Sequence, residues 1–356
     1  MTDQPETLTY RDAHGRLHSA DFQFGEIVPS PGAALPLRRV VDDRGRHLVC
    51  KHVPRDLGER NSGFYDVLDR EVRALTRLAQ RFGLHYPREL SEVVGYNVDV
   101  EEPFVLLREY RGQPAEDAYP SFDDDQRRRF QIGVLRALQH TAYVNVVHGA
   151  MSMDSLRWDG ITVQLVDFES AGRTRELRRR EGTFPRRAPE QAAGTGVQHP
   201  GDDMWGVGMV FRQLRLGPFL GDGFPDPGPE RMRAELAGLF AETAEQRPTA
   251  EQMLLRIRAT SSMIPDVDPD EQLKPGRQAF EIASARKRGD VEPGAPSIAT
   301  AVAGSDHSNH RDAATSADPR TVPSPMIGER SPVLRYAIAS VVVLTVVLVV
   351  FFLVTQ

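Results

Sequence analysis

The stretch VVDDRGRHLVCKHV, residues 40–53, decides how the first third of the chain is read. Two short apolar runs flank an Asp42-Asp43-Arg44-Gly45 turn, the chemistry of a tight link between antiparallel strands. FVLLREY at 104–110 is a third strand candidate, so residues 21–110 read as strand-rich. One helix interrupts them. In YDVLDREVRALTRLAQRF, Val67, Leu68, Val72, Leu75 and Leu78 recur at spacings of three and four, which gathers them on one face. From about residue 121 the pattern turns helical. Ser121 and Asp124 read as a capping box before DDQRRRFQIGVLRALQHTAYV, in which Phe130, Val134, Leu138 and Ala142 share a face.

Composition narrows the functional classes. The chain has 356 residues, 40% of them hydrophobic, enough for a sizeable core. A net charge of -6 argues against nucleic acid as a partner, because binding phosphate backbones requires concentrated positive charge. The single cysteine, Cys50, rules out an internal disulfide framework and points to a reducing compartment. No secretory signal is expected, since residues 1–20 are polar throughout. Residues 337–354, AIASVVVLTVVLVVFFLV, form an uncharged run which as a helix rising ~1.5 Å per residue would cross a bilayer core. Arg330 and Arg335 precede it and Tyr336 stands where an interfacial aromatic belongs. The positive-inside tendency therefore predicts a single-pass cell-membrane protein with its N-terminal domain in the cytoplasm. Residues 261–332 are rich in Pro, Ser, Gly, Asp and Ala and read as a disordered linker to a transmembrane helix at 333–354.

Several further elements occur in a telling order. LVCKHV at 48–53 carries Lys51, and Glu71 sits in the middle of the lone helix. VQLVDFESAG at 163–172 carries Asp167 and Phe168. GTFPRRAPEQ at 182–191 carries Ala188, Pro189 and Glu190. DDMWGVGMV at 202–210 carries Asp203, and EQRPTAEQML at 245–254 carries Arg247. Together these resemble the motif set of the protein kinases over roughly residues 22–260, and the Arg-heavy, Lys-poor usage resembles that of high-GC bacteria.

The resemblance implies an α+β, two-lobed protein-kinase-like fold: a small strand-rich lobe and a large helical lobe, preceded by an extension at 1–21. It implies Lys51, Glu71, Asp167 and the hinge residues Glu109 and Tyr110 as nucleotide-binding positions, with ATP and Mg²⁺ as cofactors. Cys50 would face the adenine, and Arg108 would sit at the back of that pocket, either paired with Glu71 or filling the pocket itself. His148, Glu190, Asp203 and Arg247 take structural roles, Glu190 pairing with Arg247 and Asp203 accepting backbone donors.

The chemistry departs from the pattern in the catalytic loop. In VVHGAMSMDSLRW, His148 matches the family histidine, Gly149 stands on the arginine and Ala150 on the catalytic base, whose proton a methyl group cannot accept. Ser152 replaces a phosphate-contacting lysine, and Ser155 stands where the second metal ligand, Asn, belongs, beside Asp167 as the first. Asp154 is a displaced substitute for the base, with a turn residue as its plainer role. The phosphate loop keeps only Gly25 and Gly32, interrupted by Pro29 and Pro31, and Glu169 replaces the glycine after Phe168.

These losses favour a membrane-tethered pseudokinase: a cytoplasmic regulatory or scaffolding module that binds a signalling or membrane-associated protein. The alternative is an active, unconventional Ser/Thr kinase. The segment Arg173–Arg187, with seven arginines, reads either as a solvated loop or as a docking surface for an acidic or phosphorylated partner, and Thr174 and Thr183 lie where phosphorylation would order it.

Overall fold

Strand alternation organises the first hundred residues. In the computed structural model, which describes residues 5–261 and scattered positions between 273 and 285, strands β1 (Glu6–Arg11), β2 (Leu17–Ile27), β3 (Leu37–Asp42) and β4 (His47–His52) follow one another. Two helices come next, α1 (Arg55–Arg60) and α2 (Gly63–Phe82), then strands β5 (Val93–Asn97) and β6 (Phe104–Arg108). Every pairing is antiparallel, and the order β1-β2-β3-β4-β6-β5 closes on itself where Arg11 of β1 meets Tyr96 of β5. Because successive strand residues point to opposite sides, β4 sends Leu48 and Cys50 inward and Val49 and Lys51 outward. The interior is filled by Tyr10, Phe22, Val40, Leu48, Cys50, Phe104 and Leu106. The outward set, with Leu37, Val105 and Leu107, packs under Leu68, Val72, Leu75 and Leu78 of α2. Burying each such Leu or Phe contributes roughly 1.5–3 kcal/mol, so the barrel wall has a stabilising layer on both faces.

The remainder of the described chain contains short ladders and helices. β7 (Gln113–Pro114) and α3 (Ala115–Ala118) lead to α4 (Asp124–Tyr143), and β8 (Val146–Val147), β9 (Leu156–Trp158), β10 (Val163–Leu165) and β11 (Gly172–Arg173) follow. Then come α5 (Pro189–Ala193), α6 (Pro200–Leu216), α7 (Glu230–Leu236) and α8 (Ala250–Arg256). The ladders run β10-β9-β7 and β11-β8. α4 buries Phe130, Val134 and Leu138, while α6 buries Met204, Val207 and Phe211, and these join the α2 face in one continuous core.

These observations correct the expected architecture. The strands form a closed six-stranded antiparallel barrel with helices, and not a two-lobed kinase-like fold. Residues 6–11, set apart by sequence as an extension, supply the closing strand: Tyr10 points into the barrel and is 6% exposed. Among the described residues no helix is long and apolar enough to cross a membrane. The transmembrane helix expected at 333–354 and nearly all of the linker expected at 261–332 lie outside the described residues. The α4 cap also differs by a register. Asp123, not Ser121, accepts from Gln126 N at 2.7 Å, and Gln126 Oε1 accepts from Asp123 N at 3.0 Å.

Candidate functional site

Lys51 projects from the outer wall of the barrel into a fully buried space beneath α2. α2 brings Glu71 to it, because residue 71 lies on the same helical face as Leu68, Val72 and Leu75. The turn after β10 brings Asp167 and Glu169. Lys51 Nζ is 2.8 Å from Glu71 Oε2, 3.0 Å from Asp167 Oδ1 and 2.8 Å from Glu169 Oε1. One ammonium is thus surrounded by three carboxylates, each almost entirely buried. Burial alone would push the lysine pKa down, but Asp167 and Glu71 outweigh it and hold it well above the ordinary value. Glu71 is pushed up to about 7 by burial, with Glu169 and Asp167 adding repulsion against the pull of Lys51.

The segment between β2 and β3 folds down onto this cluster. Ser30 Oγ donates to Asp167 Oδ2 at 2.7 Å, and the Ala34 and Leu35 amides donate to Glu169 at 2.5 and 3.3 Å. Gly32 permits the approach. A Cβ there would lie 3.0 Å from the Asp154 carbonyl oxygen and 3.2 Å from Asp167 Oδ2. On another side Tyr110 is buried, its hydroxyl 3.5 Å from Asp167 Oδ1, and the Arg157 guanidinium covers its ring at 5.7 Å. The main chain joins in as well: Phe168 N donates to Glu71 Oε1 at 3.2 Å and Arg70 Nε donates to the Glu169 carbonyl at 2.7 Å. Asp167 itself takes a left-handed backbone conformation, φ 60°, which is costly for a non-glycine residue and is held by these bonds.

A second buried group supports the turn from below. Asp203 of α6 accepts from His148 N and Gly149 N, both at 2.8 Å. His148 Nε2 lies 2.9 Å from the Val166 carbonyl oxygen and its ring meets Phe168 edge-on at 4.8 Å. Burial lowers the His148 pKa to about 4, so the ring is neutral, with Nε2 donating to Val166 and Nδ1 free to accept from Ala150 N at 3.4 Å. Burial pushes Asp203 up to about 7 against these two amides. Glu190 and Arg247 meet at 2.6 Å, and Arg247 also donates to the Gly201 and Ala241 carbonyls at 3.1 Å each.

The remaining sequence candidates are placed elsewhere. Ala150 is half-buried and presents a methyl group. Asp154 is exposed, and among the described residues its carboxylate has no hydrogen bond or ion pair. Ser155 Oγ is engaged within its own loop, donating to Ser152 O at 2.9 Å and accepting from Ser152 N at 3.1 Å. Glu109 pairs at the surface with Arg39 at 3.2 Å. Two expectations are corrected: Arg108 is exposed and pairs with Glu92 at 2.6 Å, not with Glu71, because its place at the end of β6 turns it outward. Cys50 faces the barrel interior, not a cleft, and burial pushes its thiol up to about 12.

Sequence reasoning missed Glu169, Ser30 and the Tyr110 hydroxyl as members of the cluster. The signal for Glu169 was present: a carboxylate two places after Asp167 is a third negative charge near a single lysine, and burying it requires donors such as those at 34 and 35. Nothing local marks Ser30. No family model matches this chain, and no curated protein matches it in sequence.

Proposed function

We propose that this chain is a catalytically silent regulatory or scaffolding protein, pseudokinase-like in the residues of its Lys51 site, which acts by binding a protein partner and not by transferring phosphate. The likeness rests on motif residues and their contacts. The observation that carries the reading is the saturation of Lys51 by Glu71, Asp167 and Glu169 under a segment whose own donors are directed at those carboxylates. Phosphoryl transfer needs an ammonium and loop amides free for phosphate oxygens, carboxylates free for a cation, and a group to position the hydroxyl. Here the ammonium and the Ala34 and Leu35 amides are engaged by protein carboxylates, Asp167 is held by Lys51 and Ser30, and Ala150 stands in place of the base. ATP with Mg²⁺ does not suit this arrangement, since its phosphates would have to enter a site already carrying excess buried negative charge. Tethering through residues 333–354 belongs to the same proposal, on the strength of their uncharged apolar run.

Thermal unfolding of the full-length chain with millimolar ATP and Mg²⁺ or Mn²⁺ tests this reading. A ligand at one hundred times its Kd adds ~2.7 kcal/mol, which raises the melting temperature by several degrees. No shift is expected. A saturable rise that disappears in Lys51→Ala, or phosphate incorporation into protein substrates, overturns the proposal.

A further inference from the structure

The arginine-rich segment after β11 is an ordered part of the surface. Leu177 and Val197 face each other across an antiparallel bridge. Arg175 N donates to Gln198 O at 2.9 Å, Gln198 N to Glu176 O at 2.7 Å and Arg178 N to Gly196 O at 3.0 Å, which makes a short two-stranded ribbon. Salt bridges pin it from beneath. Arg73 grips Glu176 through two bonds of 2.9 and 2.8 Å, Arg178 grips the buried Asp202 at 3.0 and 2.8 Å, and Arg70 reaches Glu181 at 3.0 Å.

What this ribbon presents is unusual. Leu177 is 79% exposed and Val197 42%, two apolar side chains held together in water. Arg175 and Arg179 flank Leu177 along the chain and Arg180 follows, all exposed and, among the described residues, without an ion pair. Arg175 is held with φ at 74°, a conformation that a non-glycine residue adopts only under constraint. Beside the ribbon lies a cleft lined by Gly149, Ser170, Arg179, Glu181 and Gln198, and Gln198 Oε1 is buried there with no hydrogen-bond partner. The arginines that fix the fold are therefore paired with carboxylates of this chain, while the exposed ones next to Leu177 in the chain are left positive.

We propose that this ribbon is a docking surface for an acidic segment of a partner protein, whose apolar side chain covers Leu177 and Val197 while flanking carboxylates engage Arg175, Arg179 and Arg180. Guanidinium forks match carboxylates through paired hydrogen bonds, and an apolar anchor within a charged rim is the usual composition of a protein interface. Two side chains on a rigid ribbon offer too little apolar area to anchor in a lipid surface, and the overall charge of -6 opposes nucleic acid. The surface is separate from the Lys51 cluster, and its test uses no nucleotide, so its failure and that of the proposed function are distinguishable.

The experiment is fluorescence anisotropy of the full-length chain with a labelled peptide, EDELEDE. Saturable binding is expected, weakening steeply as salt is raised. The exposed triple variant R175E/R179E/R180E should lose about tenfold or more in affinity, because like charges then face each other. L177S should lose about threefold by removing the apolar contact, and a serine in place of the peptide leucine should do the same. Arg186→Glu, on the same segment but outside the ribbon, should leave binding unchanged. Retained tryptophan fluorescence verifies the fold of each variant, and L177S provides an independent reading should the triple variant unfold. Absence of saturable binding, equal loss with Arg186→Glu, or tighter binding to phosphatidylserine vesicles or duplex DNA than to the peptide overturns the proposal.

Discussion

Replacing Lys51 by methionine keeps the length of the side chain and removes its charge, leaving Glu71, Asp167 and Glu169 together in a space that water does not reach. Removing one partner of a buried ion pair costs about 3–5 kcal/mol, because the other charge stays behind without compensation. At ~2–4 °C per kcal/mol for a domain of this size, Lys51→Met should lower the melting temperature by roughly 6–20 °C. The loss should also depend on pH, with a definite direction. Glu71 in the folded protein titrates at about 7, above its unfolded value of 4.5, so the folded state holds the extra proton between them. The stability this proton contributes is fully present below pH ~4.5 and is lost as pH rises through ~7, by about 3 kcal/mol at most. Without Lys51, Glu71 faces Glu169 and Asp167 with no opposing pull, holds its proton to higher pH, and the deficit of the variant grows from pH 5 to pH 8.5. The assay is urea unfolding followed by the fluorescence of Trp158 and Trp205, both buried. A destabilisation under ~1 kcal/mol, or one equal at the two pH values, would show that the three carboxylates do not depend on Lys51 and refute the reasoning.

Four further outcomes follow from the environments of single side chains. Tyr10→Ala should destabilise the protein by about 3 kcal/mol or more, measured by the same unfolding, because β1 closes the barrel and Tyr10 packs edge-on against Phe22 at 6.0 Å; a dispensable extension would give no change. Cys50 should resist alkylation by a soluble maleimide in the native protein and react once urea unfolds it, since the thiol is enclosed and held protonated; rapid native labelling would place it outside the barrel. Arg247→Met should cost about 3–5 kcal/mol by leaving Glu190 and two carbonyls without their donor, whereas Asp154→Ala should change stability by less than ~0.5 kcal/mol.

The local elements were legible because their signals are local. The α2 periodicity, the turn at 42–45 and the opposed apolar runs around it predict the helix and hairpin that form, since side-chain direction follows from a period of 3.6 or 2 along a few neighbouring residues. Closure of the barrel was not legible. It depends on residues 6–11 meeting residue 96, and the only sign in ETLTYR is a two-fold alternation within an otherwise polar terminus. The cap of α4 slipped to Asp123 for a related reason: Ser121, Asp123, Asp124 and Asp125 all have capping side chains, and only the backbone conformation decides among them.

For the site, the amino-acid sequence by itself determined which groups are present: one lysine, a glutamate in mid-helix, an aspartate after a strand, and a glutamate two places beyond it. It also determined that position 150 offers only a methyl group, because no folding gives Ala150 a carboxylate. Only the tertiary structure decided who meets whom. It brought Glu169 into contact with Lys51, turned Ser155 back on its own loop, sent Arg108 outward and laid Ser30 on Asp167. Those outcomes depend on where the barrel wall, α2 and the turn after β10 converge, and hydrogen bonds between residues more than a hundred positions apart leave no mark on the spacing of either partner.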